Sequence, residues 1–497
     1  MTKKYILAID QGTTSTRAML FDKMGQVVGR AQKEFEQSFP ENGWVEHNPE
    51  ELWRTTVQVC QDVILQIHGE VESIASIGIT NQRETTILWH KETGLPIYPA
   101  IVWQDRRTAQ FCQSLKKEKL TEKSVNEKTG LLLDPYFSAT KIRWILDHVP
   151  LARELVQRDK LLFGTVDTFL LWRFTGGKTH ATDITNASRT LLMNLKTKNW
   201  DEELLDLFGI PRSILPTILD NCADFGETEK RILGATISIT GMAGDQQAAS
   251  FGQACFKPGM IKSTYGTGCF MMINTGEKII HSENKLLTTV MSSLQGKTTY
   301  ALEGSIFVAG ATMKWLRDKL QILNDVRYSE NLAKSIENTN GVYLVPAFTG
   351  LGAPYWRPDV RASIVGMTRD TGRAEIVRAA LEAVAYQTLD LLNSIKTDGV
   401  DEIISIRVDG GMVENNWLLQ FLADILNIHV ERPASIETTV RGVAYLAGLH
   451  VGFYQSLDQL THIWELQRLF QPAMIDKLRQ QYYEGWKHAI KQVCLEE

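Results

Sequence analysis

Cysteine is scarce in this 497-residue chain: there are six, Cys60, Cys112, Cys222, Cys255, Cys269 and Cys494. No CxxC pair, HxxxH spacing or Cys/His cluster occurs. A disulfide frame or zinc centre is therefore not expected, and the thiols read as buried and reduced. Long apolar runs are also missing. None reaches the roughly 18 residues a membrane span needs, and the run Tyr5 to Ile9 is broken at once by Asp10, too early for a secretory signal. A cytoplasmic location without membrane insertion is expected. Nor is there a basic excess: 53 Lys and Arg face 58 Asp and Glu, a net charge of -5, which argues against a nucleic-acid partner. The usual nucleotide motifs are absent too. Gly176-Gly177-Lys178-Thr179 and Gly296-Lys297-Thr298 end like P-loops, but Trp172 and Met291 stand where the first glycine is required. No GxGxxG run or HRD-type catalytic loop occurs.

What remains is an ordinary globular composition, 43% hydrophobic and 22% charged, with length enough for two large domains or about three average ones. Tyr5–Asp10, Arg17–Phe21 and Gly25–Ala31 read as strands. Asn48-Pro49-Glu50-Glu51 reads as a helix start, with Asn48 as N-cap and Glu51 placed as in a capping box. Leu52, Thr56, Val59, Val63 and Ile67 then mark one helical face. Ser73–Thr80 is a β-branched run suited to a buried strand. Strands followed by helices predict an α/β protein. Leu7 to Thr14 also aligns without gaps on Ile261 to Gly268, each a strand with a Gly-Thr turn leading to a second apolar run. The halves are expected to divide near residue 250, into 1–250 and 251–497, with a broad shared interface.

Four strings could carry chemistry. In the first, Asp10-Gln11-Gly12-Thr13-Thr14-Ser15-Thr16-Arg17, a strand ends in a carboxylate followed by hydroxyls and backbone amides. Such a turn can hold phosphate oxygens, and Asp can hold Mg²⁺ through water. It can equally be a polar hairpin turn. The second is Thr240-Gly241-Met242-Ala243-Gly244-Asp245-Gln246-Gln247, small residues that let backbone approach a ligand, with Asp245 at a strand-to-helix junction. The plain alternative for Asp245 is a helix N-cap. The third is the hydroxyl-rich turn Ser263-Thr264-Tyr265-Gly266-Thr267-Gly268. In the fourth, Val408-Asp409-Gly410-Gly411-Met412-Val413-Glu414-Asn415, two glycines leave room for a flat ligand, or form a flexible loop.

Together these strings resemble the actin/Hsp70/sugar-kinase ATPase superfamily, and within it the FGGY carbohydrate kinases. Tyr136-Phe137-Ser138-Ala139-Thr140-Lys141 through Leu146, and Gly366-Met367 through Glu382, match that family's two signature patterns. The resemblance runs from about residue 5 to about residue 490. Asn81-Gln82-Arg83-Glu84-Thr85, Trp103-Gln104-Asp105-Arg106-Arg107, Gly244-Asp245-Gln246-Gln247 and Tyr265-Gly266-Thr267-Gly268-Cys269-Phe270 look like the branch that phosphorylates glycerol.

The resemblance implies two ribonuclease-H-like, actin-like ATPase domains flanking a deep cleft. It implies ATP-dependent phosphorylation of glycerol to sn-glycerol 3-phosphate, the first step of glycerol catabolism. It carries over Arg83, Glu84, Trp103, Tyr136, Asp245, Gln246 and Phe270 as the polyol site, with Asp245 as general base. Asp10 is implied for Mg²⁺. Thr13, Thr14, Ser15, Arg17, Gly266, Thr267, Gly310, Gly411 and Asn415 are implied for ATP. A homodimer or homotetramer is implied as well. The family's regulatory Gly-rich loop falls at Glu229 to Thr236, where Thr236 replaces its phosphate-binding Arg, so weak or no inhibition by fructose 1,6-bisphosphate is expected. A kinase for a pentulose, a hexulose or erythritol would keep the ATP turns and change Arg83-Glu84 and Trp103. An Hsp70-like chaperone or an actin-like filament would lack the polyol site.

Overall fold

The computed structural model describes residues 3–494 apart from Pro358 and Asp401. Two sheets dominate it. The first contains β1 (Tyr5–Gln11), β2 (Ser15–Phe21), β3 (Val27–Glu34), β4 (Ile74–Asn81) and β5 (Ile239–Gly244), in the order β5-β4-β1-β2-β3. The three N-terminal strands form an antiparallel meander, while β4 and β5 run parallel to β1. The third strand begins two residues later than its sequence pattern predicts, because Asp22 turns the chain by accepting from the amides of Met24 and Gln26.

The second sheet contains β6 (Met260–Tyr265), β7 (Cys269–Gly276), β8 (Leu287–Leu294), β9 (Lys297–Ile306), β10 (Ser405–Asp409), β11 (Val430–Pro433) and β12 (Leu466–Phe470). Its order is β8-β9-β7-β6-β10-β11-β12. The inner five, β9-β7-β6-β10-β11, repeat β3-β2-β1-β4-β5 in order and direction. The gapless echo between Leu7–Thr14 and Ile261–Gly268 therefore marks equivalent central strands and their hairpin turns. This is the two-unit α/β architecture that the resemblance implied.

Each sheet needs both faces covered. Leu7 and Ile9 of β1 pack with Ile77 and Ile79 of β4 against Leu52, Val59 and Val63 of the helix Pro49–Leu65. Asn48 caps this helix by accepting from the Glu50 amide at 3.0 Å. The expected capping box does not form, because the Glu51 carboxylate goes to Arg54. The opposite face, with Ile6, Ala8, Met19 and Phe21, is covered by Val440, Val443, Ala444 and Ala447 of the helix Thr438–His450. That helix comes from the second half of the sequence. It crosses the helix Asp245–Gly252 so closely that a Cβ on Gly442 would lie 1.8 Å from the Ala248 carbonyl oxygen. Five of the six thiols are buried, Cys222 is the half-buried one, and no disulfide forms among the described residues.

Candidate active site

In the first sheet β1, β4 and β5 are parallel and end together, so the loops leaving them converge at one edge. The register sets Asp10 beside Thr80 and Gly244 beside Asn81. Arg83-Glu84 follows β4 directly, and Asp245 follows β5. Glu84 adopts a left-handed backbone, φ 62°, within a tight turn closed by the Thr85 amide on the Arg83 carbonyl at 2.7 Å. A non-glycine residue held there costs about 1–3 kcal/mol. The Ser138 and Thr86 hydroxyls, both donating to the Glu84 carbonyl, hold it in place.

Arg83 is buried and saturated. Its Nη1 and Nη2 donate to the two carboxylate oxygens of Glu303 at 2.6 and 3.1 Å. Its Nε lies 3.1 Å from Asp245 Oδ1, and Nη1 also reaches Gln247 Oε1 at 3.2 Å. The long side chain passes over Gly244, where a Cβ would lie 2.7 Å from Arg83 Cγ. The small residues before Asp245 thus make room for this arginine. Glu84 accepts from Arg189 Nε at 2.6 Å, and Arg189 also donates to Glu303 at 2.9 Å. Lys262, fully buried on β6, donates from Nζ to Gln246 Oε1 at 2.5 Å.

The cluster therefore joins three cations, Arg83, Arg189 and Lys262, to three carboxylates, Glu84, Glu303 and Asp245. Burial pushes the Glu303 carboxyl up, but Arg189 and Arg83 pull harder and hold it at about 2. Glu84 has one close arginine contact, and burial leaves its carboxyl raised despite Arg83 and Arg189. Burial also raises Asp245, against Arg83 and Lys262. Lys262 itself is lowered by burial, against Asp409 and Asp245.

Asp245 is the first residue of its helix, and the N-cap position belongs to Gly244. Its side chain keeps 31% of its surface open. Gly244 brings no side chain to that position, and Asp245 Oδ1 accepts from the Gln246 amide at 2.7 Å, so this carboxylate serves the helix's first turn as well as facing the open site. Three aromatic rings form an adjoining wall. Trp103 meets Tyr136 edge-on at 5.7 Å and Phe270 at 6.3 Å between centroids, and its indole N–H donates to Thr13 Oγ1 at 3.0 Å.

The two Gly-Thr turns lie at the ends of equivalent hairpins. Gly12 N donates to the Ser15 carbonyl at 3.0 Å, and Gly266 N to the Gly268 carbonyl at 2.8 Å. Thr14 and Thr267 are exposed, and Ser15 is half-buried. Gly310 opens a helix whose first amides cap the second turn, its own amide reaching the Gly266 carbonyl at 3.0 Å. Gly410 has φ 92° and a Cβ there would meet the Tyr265 carbonyl, whereas Gly411 has open space beside it. Asn415 caps the helix Asn416–Leu426 and also touches Ser329. Arg17 pairs with Glu437 at 3.0 Å, so a phosphate at this turn has to share or displace that carboxylate. Asp10 lies behind the first turn with no hydrogen-bond donor to its carboxylate among the described residues, and burial raises it from 3.8 to about 7 against the pull of Arg17. Elsewhere on the first half, Gly234 ends the short helix Lys230–Leu233 in open space and Thr236 is exposed.

Sequence reasoning missed Arg189, Gln247, Lys262 and Glu303. Two of them carry a usable signal: Lys262 in Met-Ile-Lys-Ser-Thr-Tyr and Glu303 in Thr-Tyr-Ala-Leu-Glu-Gly are single charges inside strands that read as buried.

Comparison with known proteins agrees with this arrangement. A glycerol kinase of Ectopseudomonas mendocina is 58% identical over 490 residues, 99% of each chain. Glycerol kinase 1 of Pseudomonas aeruginosa is 58% identical over 489 residues, 98% of this chain and 99% of that one. Among solved structures, Plasmodium falciparum glycerol kinase with ADP superposes with a TM-score of 0.94 at 38% identity, covering 99% of this chain and 98% of that one. A gluconate kinase from Lactobacillus acidophilus, at 22% identity and a TM-score of 0.88 over 98% of each chain, shares the fold. The model for the N-terminal domain of the FGGY carbohydrate kinases matches residues 5–252 and that for the C-terminal domain residues 261–451. With the doubled sheet and the matched motifs in the same order, the chain belongs to the FGGY family of carbohydrate kinases.

Proposed function

We propose that this kinase transfers the terminal phosphoryl group of ATP to glycerol, giving sn-glycerol 3-phosphate. The observation that carries the reading is a carboxylate, Asp245, left open beside a saturated arginine and a three-ring aromatic wall. A triol has hydroxyls to orient and a short C–H edge to cover. Trp103, Tyr136 and Phe270 cover the edge; Arg83, Glu84 and Gln246 orient the hydroxyls. Asp245 takes the proton from the attacking hydroxyl oxygen. Thr13, Thr14, Ser15 and Arg17 from one half, and Gly266 and Thr267 from the other, hold the phosphates. Gly310 supports the second turn, and the backbone at Gly411 receives the adenosine near Asn415.

Positioning and charge neutralisation do most of the work in such a transfer. Mg²⁺ fits beside Asp10, whose carboxylate faces the negative charge of Asp245 and Glu437 with only Arg17 opposing. When bound there, the ion supplies positive charge to the phosphate oxygens. The division into two units near residue 250 belongs to the same proposal; residues 250 and 251 lie within the helix ending at Gly252, and the break in structure comes just after it, before β6 at Met260.

The experiment is a coupled ADP-release assay. Glycerol should stimulate release, while erythritol, pentuloses and hexuloses should not. Preference for a ketose would reassign the substrate, and ATP turnover indifferent to every polyol would overturn the kinase reading of the site.

A further inference from the structure

Lys262 is the lone charge in the largely buried strand β6, and it is fully buried itself. No carboxylate stands within ion-pair distance of it among the described residues; Asp409 on β10, Asp245 and Glu303 attract it from farther off, and Arg83 repels it. Its contact is the 2.5 Å hydrogen bond to the side chain of Gln246. A lysine ammonium has three donors and no acceptor, so the amide atom it touches has to be the oxygen. The amide nitrogen of Gln246 is thereby turned the other way. That nitrogen has no acceptor among the described residues, and Gln246 is half-buried next to Asp245. Without the lysine the amide could present either end.

The contact also joins the two halves of the chain. Lys262 rises from the central strand of the second sheet, and Gln246 sits in the first turn of a helix packed on the first. Desolvating a lysine is expensive, and a stability role alone would favour a carboxylate partner.

Resting on the glycerol reading above, we propose that Lys262 is a positioning residue for substrate: it fixes the Gln246 amide so that its N–H₂ donates to a hydroxyl oxygen of the bound polyol. The site thereby offers the substrate one donor of set direction beside the carboxylate of Asp245. The cost of desolvating the ammonium is offset partly by Asp409 and Asp245, so the side chain is held where it reaches Gln246.

The test compares wild type, K262M, K262R, Q246A and the K262M/Q246A pair for glycerol KM, kcat and melting temperature. K262M should raise glycerol KM about tenfold, the scale of one charged hydrogen bond, with a much smaller change in kcat. Q246A should do the same, and the double variant should be no worse than either alone, because both remove one interaction. K262R, which keeps the donor, should recover most of the loss. Should K262M fail to fold, K262Q takes its place: shorter and uncharged, it should show the same KM rise and the same lack of additivity. A wild-type KM in the folded methionine or glutamine variant would overturn the proposal. So would losses that multiply to about a hundredfold in the double variant. A wild type inert toward glycerol would refute the functional reading; an active wild type with additive variants would refute only the role of Lys262.

Discussion

The two ends of the proposed site are built on opposite terms. At the proposed polyol end, arginine and carboxylate charges are matched within the protein: Arg83 and Arg189 grip Glu303 and Arg189 holds Glu84, while Lys262 reaches the neutral Gln246 amide. At the proposed nucleotide end the lining is mostly backbone. Two glycine turns expose amides and hydroxyls, Gly411 faces open space, and Asp10 has no hydrogen-bond donor among the described residues. The difference follows from the ligands. A neutral triol brings no charge to organise a site, so direction has to be fixed beforehand. A nucleotide brings several negative charges and a metal ion, and unpaired donors can await them.

Breaking the polyol end at its open carboxylate should have the largest effect. Asp245→Asn keeps shape but cannot accept a proton, and general-base catalysis is worth about 10²–10⁴-fold. We expect kcat to fall at least about a hundredfold while the melting temperature and the calorimetric affinity for glycerol barely move. Near wild-type turnover would remove Asp245 from the mechanism, and a collapsed melting temperature would make it structural. Second, Glu303→Gln leaves two buried arginines short of their carboxylate. Breaking one partner of a buried pair typically costs about 3–5 kcal/mol, so denaturant midpoints should drop sharply and glycerol KM rise. A stability within about 0.5 kcal/mol of wild type would show that the cluster tolerates the missing charge.

A smaller loss is expected from Glu84→Ala. Glycerol KM should rise about tenfold, from removal of a charged hydrogen bond worth roughly 1.5–3 kcal/mol, with ATP affinity little changed. An unaltered KM would confine Glu84 to holding Arg189. The nucleotide end gives the mildest prediction. Asp10 is raised from 3.8 to about 7, so between those values the folded protein binds a proton that the unfolded chain has released. Stability from this group therefore declines as pH climbs from about 4 to about 7. Asp10→Asn removes the term, and its melting temperature should gain on wild type between pH 5 and pH 8. Asp183, also raised to about 7 by burial, titrates in both proteins and cancels in the comparison. A gap independent of pH would mean that Asp10 is ionised throughout.

The two hairpin turns of the proposed nucleotide end could be read from the chain because they are local. A strand, a Gly-Thr turn and a second strand lie within a dozen residues, and the same string recurs in the other half. The polyol end was legible only in part. Arg83, Glu84 and Asp245 announce themselves by adjacency or by their place after a strand, but Glu303 meets Arg83 across 220 residues. No spacing rule predicts such a pairing; only the topology brings β9 to the end of β4. Arg17 shows the same limit, since its partner Glu437 lies 420 residues away. Glu51 errs in the other direction. Its position three after Asn48 suits a capping box, yet Arg54 on the same helix competes successfully for the carboxylate.

The helix Thr438–His450 has a consequence for how the protein is made. The face of the first sheet carrying Ile6, Ala8, Met19 and Phe21 is complete once β5 has been synthesised, but its cover lies some two hundred residues downstream. At about 5–20 residues per second, the ribosome leaves that apolar surface bare for roughly 10–40 s. The nascent first half is thus a client for whatever shields hydrophobic surface during translation. A message interrupted anywhere between the two elements would release a sheet with one face unroofed.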